Sequence, residues 1–371
     1  MKPTDHLKDF VSQRDGFSWR LEEGVPNIAT FKLTSQVWQG QPWNHDIVLI
    51  MPEGSHEAST AVVYVTGGDV NGPDVSEACR IAERCRLPVA LLFNIPNQPL
   101  FDRWEDDLIA HTFEQFIETG DPEWPLLYPM VRATVRCMDM LEQVDELHLT
   151  RFVVTGASKR GWTTWLTSAT GDHRLVGIAP MVIDNLNFPA QMAHQVESWG
   201  AYSEQIQDYT SRELQDEMDE GSKAELVQMM DPINYVENIR CPILIINGAN
   251  DRYWTADALS LYWDLLPEPK HCLIVPNVGH ILGDKVQMVE TLSAFAHACA
   301  KETALPDAKT GRKQTWMALS ETLDFRDSTW QLEYEISPTS TRNLARLDEF
   351  RFTGPTGPYS LSLPVTIVKR T

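Results

Sequence analysis

Positive charge is scarce in this chain: 31 lysines and arginines face 52 aspartates and glutamates, a formal charge of −21 over 371 residues. Such a protein has no electrostatic reason to bind a polyanion or an anionic membrane surface. Neither nucleic acid nor membrane is therefore expected as a partner, and the acidity reads as a solubility device. No apolar run approaches the roughly 18 residues of a membrane span. There is no CxxC pair and no His/Cys cluster at zinc-ligand spacing. The six cysteines (Cys79, Cys85, Cys137, Cys241, Cys272 and Cys299) sit in settings such as "RCPILII" and read as buried free thiols, which suits a reducing compartment. The opening "MKPTDHLKDFVSQRD" lacks the apolar core of a signal peptide, so a cytoplasmic location is expected. Repeats and low-complexity tracts are missing too, which excludes solenoids.

Apolar residues are plentiful, at 43%, and they come in short blocks. Ala29–Gln36 and Asp46–Met51 are strand-like. "AVVYVTGG" (61–68), "PVALLFN" (88–94), "RFVVTG" (151–156), "LVGIAPMVID" (175–184), "CPILIING" (241–248) and "HCLIVP" (271–276) are continuous apolar runs. Helical patterns separate them, among them 76–86, 102–119 and 285–301. On 102–119 the face is expected to run through Trp104, Leu108, His111 and Gln115. Buried strands alternating with helices indicate an α/β fold, a mostly parallel central sheet flanked by helices, over residues 1–304. Residues 188–231, too long for a plain connection, are expected to form a helical cap over the C-terminal edge of the sheet. Residues 312–371 change character: "TWMALSET", "TWQLEYEI", "ARLDEFRF" and "LPVTIVKR" are strand-like, split by "SPTSTRN" and "TGPTGPYS". They suggest a small C-terminal β-appendage.

Open parallel sheets gather reactive groups at the C-terminal ends of their strands. "RFVVTG" is followed by Ala157-Ser158, "CPILIING" by Ala249-Asn250-Asp251, and "HCLIVPNVG" by His280. Serine, then acid, then histidine is the chain order of α/β-hydrolases. A serine hydroxyl needs an imidazole to take its proton, and the imidazole needs a carboxylate to fix its tautomer and hold its positive charge. Ser158, His280 and Asp251 fit these roles. The amide of Lys159, opening the helix after Ser158, is one candidate oxyanion donor; the other falls in the Gly67-Gly68-Asp69 loop, at Gly68 or Asp69. The turn reads G-x-S-x-x-G, with Arg160 where a second glycine is commoner and Gly161 one place later.

Asp184, after "LVGIAPMVI", is a rival for the acid. With Asn185 and Asn187 it sits between a strand and the cap, where Asp184 and Asn187 are expected to line the substrate entrance or to turn the chain. Tyr253 and Trp254, directly after Asp251, are expected in the pocket wall. Lys159 and Arg160 are expected to pair with acidic residues of the cap. The chemistry needs no metal and no organic cofactor.

"GASKRGWTTWLTSAT", "APMVIDNLN", "SQVWQGQPWNHDIVLIMP" and "NGANDRYW" resemble the PhoPQ-activated pathogenicity-related protein family over about residues 15–300, and "GPYSLSLPVTIV" resembles its tail. That resemblance implies the α/β-hydrolase fold. It also implies export for some members, against the cytoplasmic expectation. The elbow is similar to that of glucuronoyl esterases, where a basic residue follows the serine; the likeness assigns Lys159 to the oxyanion. The expected activity is a serine hydrolase acting on a carboxylic ester. Alternatives are an amidase or peptidase, with Glu197, Glu204 and Asp208 as candidates to grip an amino terminus, and a non-catalytic binding protein on the same fold. The expected partner is a small ester or amide.

Overall fold

A computed structural model describes residues 3–25, 27–53, 59–144, 146–335 and 341–370. Its strands are β1 (Ser18–Val25), β2 (Ile28–Trp38), β3 (Gln41–Ile50), β4 (Thr60–Val65), β5 (Val89–Leu92), β6 (Arg151–Ala157), β7 (Leu175–Met181), β8 (Ile243–Gly248), β9 (Lys270–Val275), β10 (Arg312–Ser320), β11 (Gln331–Leu332), β12 (Asn343–Gly354), β13 (Gly357–Ser362) and β14 (Thr366–Val368). They form one sheet in the order β1-β2-β3-β5-β4-β6-β7-β8-β9-β13-β12-β10-β11, with β14 also on β12. From β5 to β9 the pairs are parallel; β3 joins β5, and β13 joins β9, antiparallel.

The central strands are apolar throughout because helices cover both faces. Side chains alternate between the two sides. Val62, Val153, Leu244 and Leu273 pack under α2 (Asp74–Cys85) and α9 (Val286–Ala300). Val63, Val154 and Ile245 pack under α3 (Glu105–Thr119), α4 (Leu127–Glu142) and α5 (Lys159–Ala169), with α1 (Pro3–Ser12) beyond. Trp165 of α5 is fully buried in this second layer. The segment between β7 and β8 is helical: α6 (Phe188–Trp199), α7 (Gln207–Thr210) and α8 (Gly221–Met230). Trp162 of α5 ties it down by donating from Nε1 to the Met230 carbonyl at 2.7 Å.

Three local expectations change. The helix expected over 102–119 starts at Glu105, because Trp104 is extended (φ −137°) and 55% exposed. Its buried face is Leu108, Ile109, Thr112, Phe113 and Phe116, so Trp104, His111 and Gln115 do not lead it inward. The strand-like "TWQLEYEI" keeps only the two residues of β11, and its Ile336 lies outside the described residues, as do residues 337–340 of "SPTSTRN". The divider "TGPTGPYS" holds most of β13, through which the tail's strands join the main sheet at Ser362–Cys272. No helix among the described residues is long and apolar enough to cross a membrane. The six cysteines are free thiols, five buried and Cys79 half-buried.

Candidate active site

β6 ends at Ala157, and the chain turns into α5 through Ser158, whose backbone is held at φ 57°, ψ −123°. A non-glycine residue pays strain for this conformation, and such strain persists only where the surroundings fix it. Here the Ser158 amide donates to Met181 O at 2.9 Å, locking the turn to the end of β7. The two glycines permit the close crossing. A Cβ on Gly156 would stand 2.8 Å from Arg160 O, and one on Gly161 would stand 2.8 Å from Met181 O. Gly161 therefore gives the clearance between helix and strand that the commoner motif takes one residue earlier.

Asp251 and His280 stand after β8 and β9. His280 Nδ1 lies 2.8 Å from Asp251 Oδ2. A carboxylate only accepts, so Nδ1 carries the proton and Nε2 is left as an acceptor. Nε2 is buried, and neither it nor Ser158 Oγ has a hydrogen-bond partner among the described residues. Ser158 and His280 line the same two cavities, of about 110 Å³ and about 310 Å³, which meet at this point. Tyr253 stacks on the imidazole with centroids 4.2 Å apart, and its amide donates to Asp251 Oδ1 at 2.9 Å. Burial and the nearby Asp106 and Asp251 carboxylates push the Tyr253 phenol upward, so it stays neutral.

The loop carrying the acid is held from two sides. From the cap, Gln195 Nε2 donates to Tyr253 O at 2.9 Å and Ser203 Oγ to Arg252 O at 2.7 Å. From the tail, Asn250 Nδ2 meets the carbonyls of Phe325, Arg326 and Ser328 at 3.2, 3.1 and 2.8 Å. Asn277, three residues before His280, exchanges two bonds with the Trp330 backbone. These contacts were not legible in the sequence, since backbone carbonyls carry no residue signature. Asn250→Ala removes three of the tail's hydrogen bonds to the acid loop and leaves the Arg252–Asp327 pair. It is expected to destabilise the fold by about 1–3 kcal/mol and to lower turnover further than global unfolding explains, checked by denaturation and ester kinetics on one preparation.

The other expected residues divide. Tyr253 and Trp254 line the smaller cavity, with cap residues such as Phe188, Met192 and Leu226. Asp184 does not reach His280. It is buried, accepting from Tyr262 Oη and from Asn247 Nδ2, the latter at 2.7 Å. Burial outweighs those bonds and, with Asp251 nearby, pushes its carboxyl up to about 7. Asn187 caps α6 in a left-handed conformation, its amide on Asp231 and its side chain on Leu261 O, so it turns the chain and lines neither cavity. Asn185, between them, lines the smaller cavity. Lys159 and Arg160 pair with the start of α3 and not with cap acids: Lys159 Nζ lies 2.9 Å from Asp106 and 3.0 Å from Glu105, and Arg160 grips Glu105 with both Nη atoms. Burial opposes the Glu105 charge, yet Arg160 and Lys159 hold its carboxyl down at about 2.

The Gly68 amide is spent on Thr66 Oγ1 at 3.1 Å, and Asp69 closes a turn onto Asn71 and Gly72. Gly67 lines the larger cavity beside Ser158, and its amide has no partner among the described residues. No group of three or more metal-ligating side chains occurs among the described residues.

The family described as "PhoPQ-activated pathogenicity-related protein" matches residues 7–333. A curated relative, Autocrine proliferation repressor protein A of Dictyostelium discoideum, is 32% identical over 319 residues, taking in 78% of this chain; the chain spans 64% of that protein's length. Among solved structures, acetyl xylan esterase 1 of Thermoanaerobacterium sp. JW/SL YS485 superposes with a TM-score of 0.58 at 13% identity, covering 80% of this chain and 93% of its own. The acetyl xylan esterase of Paenibacillus sp. R4 gives 0.55 at 14%, covering 75% and 87%. At such identities the likeness is one of fold, the α/β-hydrolase fold that the strand order and the Ser-Asp-His order had indicated.

Proposed function

Because the chain belongs to the PhoPQ-activated pathogenicity-related protein family and has the α/β-hydrolase fold, we propose that it is a serine hydrolase cleaving a carboxylic ester. One observation carries the reading: a strained serine and an unpartnered imidazole Nε2 share two cavities, and the other imidazole nitrogen is fixed on a buried carboxylate.

In the proposed mechanism Ser158 Oγ attacks the ester carbonyl carbon and His280 Nε2 takes its proton. Asp251 holds the imidazolium through Nδ1–H. The oxyanion is met by the Lys159 amide at the start of α5 and by the Gly67 amide. Lys159 contributes its backbone only, because Asp106 and Glu105 engage its ammonium. As the tetrahedral intermediate collapses, the C–O bond to the alcohol breaks and His280 gives that oxygen its proton. Water, deprotonated by His280, then attacks the Ser158 ester; the acyl C–Oγ bond breaks, His280 returns the proton to Oγ, and the acid is freed. Substrate binding brings Oγ and Nε2 together, since catalytic hydrogen bonds often close only in the complex.

A peptidase gripping a free amino terminus finds no support in the cap. Glu197 is paired with Lys369 at 2.7 Å and Glu204 with Arg326 at 2.7 Å; Asp208 lines neither cavity. The test is labelling of the folded protein with a fluorophosphonate, the modified residue being located by mass spectrometry. Label on Ser158, lost in His280→Ala, is the expected result. An unlabelled Ser158 would overturn the proposal in favour of a binding role.

A further inference from the structure

The smaller cavity is almost wholly apolar at its surface, with Phe113, Trp162, Ile183 and Met218 in its wall. Its charged residues are already satisfied. Asp106 accepts from Tyr209 Oη and Lys159 Nζ, both at 2.9 Å. Lys223 Nζ donates to Glu213 O and Asp216 O at 2.7 and 3.0 Å. The neutral polar residues are in the opposite condition. Asn185 is 2% exposed, and neither its Nδ2 nor its Oδ1 has a partner among the described residues; Trp254 Nε1 and Gln215 Oε1, on the same cavity, also lack one.

Buried polar atoms without partners are uncommon, and each asks for a reason. Here the reason is shared by three residues around one cavity. A carboxylate only accepts and would leave Asn185 Oδ1 unpaired, and an ammonium only donates and would leave Asn185 Nδ2 unpaired. A plain hydrocarbon would leave a donor and an acceptor of Asn185 buried and unpaired. The group that answers both is a neutral amide, whose carbonyl accepts from Asn185 Nδ2 and whose N–H donates to Asn185 Oδ1. Size sets a further limit. An apolar cavity of about 150 Å³ holds a benzene ring, so about 110 Å³ suits a chain of about four or five non-hydrogen atoms.

We propose that this cavity binds the acyl part of the substrate and selects a short acyl chain that carries an uncharged amide, with Asn185 as the specificity-determining residue. This rests on the serine-hydrolase reading above. The substrate class is then an ester of an N-acylated amino acid, and not a simple fatty acid ester.

Two p-nitrophenyl esters of equal chain length test it, N-acetylglycinate and pentanoate, each kcat/KM divided by the ester's spontaneous hydrolysis rate. The N-acetylglycinate is expected to be preferred by roughly 10- to 100-fold. Asn185→Leu is expected to abolish that preference, bringing the two esters to parity; Asn185→Ala gives the same comparison if leucine overpacks the site. A wild-type preference for pentanoate, or a preference untouched by either variant, overturns the proposal. If neither ester is cleaved, N-acetylglycinamide and pentanamide are titrated by calorimetry. Tighter binding of the first, lost in Asn185→Leu, keeps the subsite while the hydrolase reading falls. Equal or undetectable binding of both overturns the subsite as well.

Discussion

Ser158→Ala is expected to lower ester turnover by roughly 10⁴- to 10⁶-fold while leaving the denaturation midpoint almost unchanged. The asymmetry follows from what Ser158 does in the fold. Its hydroxyl has no partner among the described residues, so removing it breaks no interaction there. Its backbone amide, which ties the turn to Met181 O, is kept. Ser158→Gly separates chemistry from strain more sharply. It is equally inactive, but glycine accepts φ 57° without a Cβ clash. Relief of about 1–3 kcal/mol of strain, set against about 1 kcal/mol of added unfolded-state entropy, leaves the glycine variant as stable as the parent or more so. A dead protein that melts no lower than the live one marks a position shaped for chemistry and not for folding. Denaturant unfolding and initial rates on the three proteins check it; a glycine variant clearly less stable than alanine contradicts the strain account.

The second large effect distinguishes two buried aspartates. Asp251→Asn turns the group facing His280 Nδ1 into one that can donate, which favours the wrong tautomer and removes the charge that balances the imidazolium. A loss of about 10⁴-fold in kcat is expected. Asp184→Asn is expected to leave kcat within a few-fold, because Asp184 is engaged with Tyr262 and Asn247. Its signature lies in stability against pH. Burial raises the Asp184 carboxyl to about 7, above the ordinary carboxylate range, so the folded chain keeps a proton that the unfolded chain releases. Its contribution is complete below about pH 4 and declines as pH rises to 7, where a buried anion must be tolerated. Asparagine escapes this decline. Relative to the parent, Asp184→Asn should therefore gain up to about 4 kcal/mol between pH 4 and pH 8, at about 1.4 kcal/mol per unit. Asp231, raised by burial to about 6, is present in both proteins and cancels from the difference. Loss of turnover in Asp184→Asn and its retention in Asp251→Asn would reverse the assignment of the acid.

The parallel strands were legible because residues buried on both faces must be apolar without alternation, and because glycine or a polar residue punctuates each strand end. The positions of Ser158, Asp251 and His280 followed from that punctuation. β1 was not legible: "SWRLEEGV" is an exposed edge strand whose charges suit an edge and hide the period. β13 was hidden by Gly357 and Pro358, read as a divider. The proline is tolerated because β13 pairs with β9 only at Ser362, at its other end, so no neighbour there needs a Pro358 amide. The choice among Asp184, Asn185 and Asn187 was beyond the sequence for a conformational reason. Val182 leaves β7 at φ 47°, unusual for a β-branched residue, and resets which side chain meets the cavity. Between Gly68 and Asp69 as oxyanion donors, the Gly68 amide is taken by the Thr66 hydroxyl, itself bonded to Asp74, a contact that no residue pattern marks.

The carbonyls of Phe325, Arg326 and Ser328 on Asn250, and the Trp330 backbone on Asn277, have a consequence in time. A chain is made from its N-terminus, at about 5–20 residues per second. Ser158, Asp251 and His280 all leave the ribosome before the segment that steadies the last two. Roughly 50 residues separate His280 from Trp330, so for about 3–10 seconds of synthesis the nascent protein holds these three residues and lacks the brace. The order of synthesis itself keeps the site loose until the bracing segment has emerged.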